Sequence, residues 1–351
     1  MTDNNPFDDI FTNDNDSEES RRPRRKKKRV WRKVLVGVLV VVVLGVLGVG
    51  VYLWNVGRSF DDNANQLSDE QVFGSQRPEA KNEEGGTNIL LLGSDEPMKD
   101  VDVNSSRGLR SDSILVMHLP ENGSNVQIMS IPRDSWVDIE GQGKAKINAA
   151  LSYGGLPLAV KTVSDFIGTP IDHVAIIDFE GFKGLTDSLG GVRVNSEQAF
   201  TQNGYTFEKG ENLLNGDEAL TFVRERKSFK DGDFQRARNQ QAFIKGLINE
   251  LISADTLSNP AKIQEMVTEF APYMYVDSGL NAQYISSTAF AMRDVRPGDI
   301  EFFTSPTAGV GRSADGQSIV NVDQDELKKL QDAFKNDTVD EYVKSAPEAH
   351  L

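Results

Sequence analysis

Two arginines and three glutamines crowd the start of one helical stretch, "KDGDFQRARNQQAF", Lys230 to Phe243. At helical spacing Arg236, Gln240 and Phe243 share a face, while Ile244, Leu247, Ile248 and Leu251 mark the core face. Asp231 or Asp233 is the expected N-cap, a short acceptor for free backbone N–H groups. Arg236 then projects from the first turn, where those N–H groups and the helix dipole favour an anion. A cation there opposes the dipole unless an anionic ligand, or Asp233, offsets it. The two readings are an anion site and a salt-bridged surface helix start.

Upstream, "VRER" sets Arg224 and Arg226 on one side of an extended segment. Guanidinium groups recognise phosphate through two parallel hydrogen bonds and keep their charge. The alternative is pairing with Glu225 or Asp231. Arg133, in "MSIPRDSWV", follows the end of a strand, where open α/β sheets bind ligands. Asp95 ("LLGSDEP") follows a second strand, and Asp112 ("LRSDSIL") opens a third, with Arg107 and Arg110 beside it. Two carboxylates at neighbouring strand ends can hold Mg²⁺ or Mn²⁺ and leave its other positions to phosphate and water. Each aspartate alone reads equally as a turn or cap residue. Together the arginines and aspartates point to pyrophosphate plus metal. His118, His173 and His350 form no catalytic constellation, and no zinc spacing or Walker loop is present.

The elements that must position these residues alternate. "TNILLLG", "SILVMHL", "VQIMSI" and "HVAIIDF" are short apolar runs expected as strands buried on both faces. Helices are expected around "INAALSYGG" and "PLAVKTVSDFIG", with Pro157 as a start and Gly168 as a stop. "EGFKGLTDSLGG" reads as a helix ending in glycine, and "LNGDEALTFV" carries a capping box, Asn215 with Glu218. "DIEFFT", "QSIVNV" and a helix, "QDELKKLQDAF", follow near the end of the chain. The expected class is α/β: a central mixed sheet in an α/β/α sandwich, preceded by one transmembrane helix. The expected divisions are 1–33, a disordered cytoplasmic tail with a basic run; 34–54, the span; 55–86, a polar linker; 87–325, the catalytic domain; and 326–351, a C-terminal helix and tail.

Charge and composition narrow the function classes. The 351 residues carry a net charge of −15 and no cysteine, which removes disulfides and thiolate chemistry. Residues 1–33 hold seven acids and ten bases, a net of +3, so the rest carries −18 (−15 less +3). Such a body is no nucleic-acid binder. The ten bases fall in "RRPRRKKKRVWRK", directly before the uncharged run "VLVGVLVVVVLGVLGVGVYLW", Val34–Trp54. Twenty-one residues at a helical rise of about 1.5 Å match a hydrocarbon core of about 30 Å. Tyr52 and Trp54 sit where an aromatic belt belongs, and the basic side is expected to stay cytoplasmic. The body is therefore expected outside, on a single-pass anchor. The run is too long for a cleaved signal peptide and lacks a small-residue cleavage site.

From Asn88 to Ser253, and more weakly through Val322, the blocks "NILLLGSDEP", "LRSDSILVMHL", "MSIPRDSWVDI", "KINAALSYGG", "GFKGLTDSLGGV", "LNGDEALTFVRER" and "GDFQRARNQQ" stand in the order of the LytR–CpsA–Psr cell-wall ligases, which the chain resembles. The resemblance implies an α/β/α enzyme with a long apolar pocket. Such an enzyme transfers a glycopolymer, as its phosphate, from a polyprenyl-pyrophosphate carrier to peptidoglycan or another wall acceptor. It implies Asp95 and Asp112 as Mg²⁺ ligands and catalytic residues with Arg133. Arg110, Arg133, Arg224, Arg226, Arg236 and Gln240 become the pyrophosphate-binding set. The chain departs from the family at Asn239, where many relatives place a second arginine; here Arg238 comes one position earlier, about 100° round the helix. An actinobacterial source is expected, without the extra C-terminal domain some actinobacterial relatives carry. A carrier pyrophosphatase and a non-catalytic envelope regulator or binding protein are the alternatives.

Overall fold

Where the sequence runs continuously apolar, the chain forms the middle of a sheet. The structure is a computed structural model describing Tyr52 and residues 55–75, 85–94, 111–229, 232–257 and 259–346; Asp112, Asp233, Ala254 and Leu257 are described by backbone only. Apart from Tyr52, these residues belong to one compact unit, Trp54–Leu351. The expected span and basic tail lie outside them, Tyr52 excepted. Among the described residues no helix is long and apolar enough to cross a membrane.

Helix α1 (55–63) leads into β1 (Asn65–Leu67) and α2 (Asp69–Phe73). Strands β2 (Thr87–Ser94), β3 (Ser111–Leu119) and β4 (Val126–Ile131) follow, then the hairpin of β5 (Trp136–Ile139) and β6 (Gly143–Lys146). Next come α3 (Ala149–Ile167), β7 (His173–Asp178) and α4 (Phe179–Ser188). Four short strands, β8 (Val192–Ser196), β9 (Phe200–Gln202), β10 (Tyr205–Phe207) and β11 (Gly210–Leu214), precede α5 (Gly216–Arg224) and α6 (Asp233–Leu251). The chain continues through α7 (Ala254–Leu257), α8 (Pro260–Phe270), β12 (Met274–Asp277) and α9 (Ala282–Ala291). It closes with β13 (Ile300–Thr304), β14 (Thr307–Arg312), β15 (Ser318–Val322), α10 (Gln324–Lys335) and α11 (Val339–Ser345).

Among the described residues the main sheet has seven strands in the order β1-β12-β7-β2-β3-β4-β13. It is mixed: β1/β12, β7/β2 and β4/β13 run parallel, while β12/β7, β2/β3 and β3/β4 run antiparallel. All six residues of β4 are buried, as a strand covered on both faces requires. One face, through Leu90, Val116, Met129 and Val174, packs against Leu156 and Ile167 of α3 and Leu330 and Phe334 of α10. The other, through Ile89, Leu115, Ile128 and Ala175, meets Phe60 of α1, with Ile244 and Ile248 of α6 half-buried against it. A third apolar cluster joins α4, β8 to β11, α5 and α6. There Phe200 stacks on Phe207 at 4.6 Å and Phe222 is fully buried.

Residues 55–75, expected as polar linker, carry α1, β1 and α2 instead. β1 adds to the sheet edge beside β12, and Val72 and Phe73 enter the core because Ser68 and Gln71 close a capping box that starts α2. At the other end α10 and α11 cover the sheet. Asp337, in the left-handed region at φ 56, takes the Nε2 of buried His118 at 2.9 Å and the backbone N–H of Gly86 at 3.0 Å. The two sequence-read helices around Pro157 are present within α3: the chain leaves helical geometry at Gly154 and Gly155, Pro157 opens the second stretch, and Gly168 ends it in a left-handed cap at φ 74. Strand β15, the expected "QSIVNV", pairs with β14 in its own ribbon, not with the main sheet.

Candidate functional site

Helix α6 decides where the arginines go. Its N-cap is Gly232, φ 47, with no side-chain cap bond, and Asp233 is the first helical residue rather than the cap. The expectation of an aspartate N-cap is corrected here: the chain enters the helix through a backbone conformation that glycine adopts without strain. Further along, Gly246 lies so close to the backbone carbonyl of Arg193 on β8 that a Cβ would overlap it. This approach seats α6 against the aromatic cluster.

The last turn of α5 is held from α6. Asn239 donates its Nδ2 to the carbonyl of Phe222 at 3.2 Å, and Gln240 donates its Nε2 to that of Val223 at 3.4 Å. These are carbonyls that a helix end leaves without intrahelical partners. At the other end of α5 the expected capping box is present: Asn215 accepts from the Glu218 N–H, and Glu218 accepts from the Asn215 N–H, both at 3.0 Å. The turn after α5 is fixed by buried Glu225, whose Oε1 accepts from the Ser228 N–H at 2.7 Å.

Between α4, α5, α6, α8 and the sheet lies a cavity of about 510 Å³. Its walls are apolar, including Leu115, Phe182, Phe243, Leu247, Met266 and Phe270. Its polar lining includes four guanidinium groups, Arg133, Arg224, Arg226 and Arg236, together with Gln240. The face of α6 expected to pack as core, Ile244, Leu247, Ile248 and Leu251, forms a wall of this cavity. Arg133, Arg236 and Gln240 also line a smaller space of about 30 Å³ with Ser130 and Asp134. The arginines are held in different ways. Arg236 is 8% exposed. Arg224 lies with Cζ 4.5 Å over the Phe179 ring, a cation–π contact. Arg133 has its Nε 3.8 Å from Asp134 Oδ2, while Asp134 Oδ1 takes Lys146 Nζ at 2.9 Å.

So the structure brings together Arg133, Arg224, Arg226, Arg236 and Gln240. Asp95, Arg107 and Arg110 lie outside the described residues, and Asp112 is placed by its backbone alone. In the antiparallel β2/β3 ladder Gly93 pairs with Ser113 and Ser94 with Ser111, so Asp112 is the extra residue of a bulge at the start of β3. Among the described residues there is no cluster of three or more His, Cys, Asp or Glu side chains able to hold a metal. Arg238 is turned to other partners, donating from Nε to Glu197 at 2.9 Å and from a terminal nitrogen to Gln235 at 2.5 Å. Sequence reasoning misses Phe179 and Lys146 as supports of the arginines. Nothing local marks them, since each acts on a residue distant in the chain.

His118 and His173 are structural. His173 Nδ1 meets Asp277 at 3.1 Å, and Asp277 also takes the N–H groups of Val174 and Gly279. Burial works against the charge of Asp277, but these hydrogen bonds and His173 outweigh it and hold the carboxyl below its usual range.

An apolar cavity with arginines in its lining, on a mixed sheet covered by helices, is a space suited to an amphiphile with an anionic head. The LytR_cpsA_psr family model matches residues 53–336, and the chain belongs to that family. It is 32% identical over 314 residues to an Enterococcus faecalis protein named polyisoprenyl-teichoic acid–peptidoglycan teichoic acid transferase TagU, covering 89% of this chain and 98% of the relative. It is 36% identical over 234 residues to the TagU of Bacillus mycoides, covering 65% of this chain and 74% of that one. The crystal structure of Bacillus subtilis TagV superposes with a TM-score of 0.63 at 28% identity, over 73% of this chain and 98% of TagV. These relatives come from Enterococcus and Bacillus, so the expected actinobacterial source draws no support from them.

Proposed function

We propose that this chain transfers a glycopolymer, as its phosphate, from a polyprenyl-pyrophosphate carrier to a hydroxyl of peptidoglycan. The observation that carries the reading is the single cavity with apolar walls and four arginines in its lining. A hydrocarbon tail fits the apolar walls, and a pyrophosphate fits the guanidinium groups that line the same cavity. The relatives' named activity supports the same donor and acceptor classes.

In this reaction the acceptor oxygen attacks the phosphorus that carries the polymer. The bond from that phosphorus to the bridging oxygen breaks, and prenyl phosphate leaves with the electron pair. Charge grows on the leaving phosphate, and Arg133, Arg224, Arg226 and Arg236 are the groups to offset it. The acceptor proton passes to a carboxylate, Asp95 or Asp112, in our assignment. We assign these two and Arg110 to a Mg²⁺- or Mn²⁺-assisted site; the ion, when bound, neutralises phosphate charge. The basic run and the apolar segment 34–54 support a single-pass anchor with the catalytic domain outside the cell membrane.

The test supplies the full-length protein, in detergent, with a polyprenyl-pyrophosphate glycan, Mg²⁺ and peptidoglycan. Acceptor-dependent attachment of glycan phosphate is expected, and chelation is expected to stop it. Release of glycan phosphate with no acceptor present marks a pyrophosphatase instead, and absence of any turnover refutes both enzymes.

A further inference from the structure

One stretch of this acidic body carries no charge at all. Residues 278–292, which hold α9, contain no Asp, Glu, Lys, Arg or His, although the chain as a whole carries −15. One side of α9 turns inward: Tyr284 and Met292 pack in the apolar cluster that holds Phe60 of α1 and Ile248 of α6. The other side is bare. Ile285 is 40% exposed, and Phe290, at 70%, is the most exposed large apolar side chain among the described residues. A surface helix ordinarily sets charged residues on its solvent side; this one sets an isoleucine and a phenylalanine there.

Cations follow directly. Arg293 lies with Cζ 4.8 Å from the Phe290 ring centroid, donates to the Phe290 carbonyl at 3.1 Å and stands 3.8 Å from Asp294. Arg296 donates to the Arg293 carbonyl at 2.9 Å. An apolar ring beside guanidinium groups suits a membrane interface, with the ring among the acyl chains and the cations at the phosphates. Helix α9 is also tied to the chain that follows the apolar run 34–54. Asp61 of α1 accepts the Ala282 N–H at 2.8 Å, and a Cβ on Gly57 would lie 2.9 Å from that of Ala282. Gly57 comes three residues after Trp54, the last of that run.

We propose that the exposed face of α9, through Ile285 and Phe290, rests in the interfacial layer of a phospholipid bilayer, with Arg293 and Arg296 at the headgroup phosphates. This rests on the single-pass anchor proposed above. An anchor ending at residue 54 makes the second contact intramolecular, so shallow burial of two side chains suffices where it would not hold a free protein. The cluster behind α9 includes Leu115, Ala175 and Ile248, which also line the apolar cavity. Seating α9 turns that side of the sheet to the bilayer, the source of a prenyl-chain donor.

The chain has no cysteine, so one introduced thiol carries a unique label. Ser286→Cys lies on the exposed side of α9 between Ile285 and Phe290, and Asp325→Cys is exposed on α10, which covers the opposite face of the sheet. Each full-length variant is labelled with a polarity-sensitive nitrobenzoxadiazole dye and reconstituted in vesicles of phosphatidylcholine and phosphatidylglycerol. Some vesicles also contain a lipid bearing a nitroxide just below its headgroup. The label at 286 is expected to emit at shorter wavelength than the label at 325 and to lose emission to the nitroxide lipid; the label at 325 keeps its emission. Adding Phe290→Asp removes both effects at 286 while the protein still floats with the vesicles. No quenching at 286, equal quenching at both positions, or quenching that survives Phe290→Asp overturns the proposal. A blue shift at 286 without quenching marks contact between two copies of the chain and overturns it too. If the unaltered protein does not float with vesicles, the anchor reading itself fails and the seat of α9 falls with it.

Discussion

Asn239 donates to the carbonyl of Phe222 at 3.2 Å from a side chain that is 2% exposed, joining α6 to the last turn of α5. The family resemblance implies an arginine at this position, yet here it is filled by a buried amide. The nearby Arg238 is paired with Glu197. Restoring the family's spacing with Asn239→Arg therefore gives no extra phosphate ligand. It buries a charge at the α5–α6 contact, and thermal or urea unfolding is expected to show a loss of about 2–4 kcal/mol.

Arg236→Ala and Arg238→Ala separate the two arginines that look equal in sequence. Arg236 lines the cavity and Arg238 bonds to Glu197 and Gln235. Titration with prenyl pyrophosphate is expected to weaken about 10- to 100-fold for Arg236→Ala, the loss of a charge-assisted hydrogen bond. For Arg238→Ala affinity is expected to stay within about two-fold, because a half-exposed ion pair contributes little. Equal losses in both variants would sink this assignment.

Phe179 is expected to act through Arg224, whose Cζ lies 4.5 Å over its ring. Phe179→Leu should weaken donor binding about two- to five-fold, whereas Phe179→Tyr keeps the ring face and the affinity. A loss in both variants would point to packing at the start of α4 rather than to the arginine.

Leu247→Trp narrows the apolar cavity without touching its arginines. Each methylene kept out forfeits about 0.8 kcal/mol, so excluding two or three weakens a long-chain donor about ten- to fifty-fold. A donor with a tail of two isoprene units should bind as it does to the unaltered protein. Uniform loss across tail lengths would contradict a tail in this cavity.

Asp337 gives the fold an acid limit. Burial opposes its charge, but His118 and the N–H groups of Glu121 and Gly86 prevail and hold the carboxyl below its usual range. A depressed folded-state pKa stabilises above the unfolded value of about 4 and is lost as pH falls through the folded value. Asp337→Asn, which tolerates the left-handed backbone, should cost about 1–3 kcal/mol at neutral pH and flatten the melting profile below about pH 4. An unchanged acid profile would show that other carboxylates set this limit.

Much of the fold is legible in the sequence because burial on both faces writes itself as continuous apolar runs, as in β2, β3, β4 and β7. The Asn215–Glu218 box and the Gly168 stop are equally local. β1 is not legible: three residues inside a polar stretch have no period to read, and they become a strand only through pairing with β12. Arg236 and Gln240 can be grouped from helix spacing alone. Their meeting with Arg133 and Arg224 cannot, since it depends on tertiary packing between α5, α6 and the end of β4. Asp95 and Asp112 stay at the level of motif and strand register.

Among the described residues the edge strand β1 is bonded only to β12, whose partner residues lie about two hundred positions later in the chain: Asn65 faces Tyr275, and Leu67 faces Asp277. Synthesis delivers this strand long before its neighbour β12. Until residue 277 emerges, the N–H and C=O groups of β1 have water, or a chaperone, in place of a ladder. Closing so long a loop is slow, and an open edge invites pairing with other chains. A stop or a slow stretch ahead of β12 would therefore leave an intermediate that is most of an enzyme by length and still exposes a sticky margin.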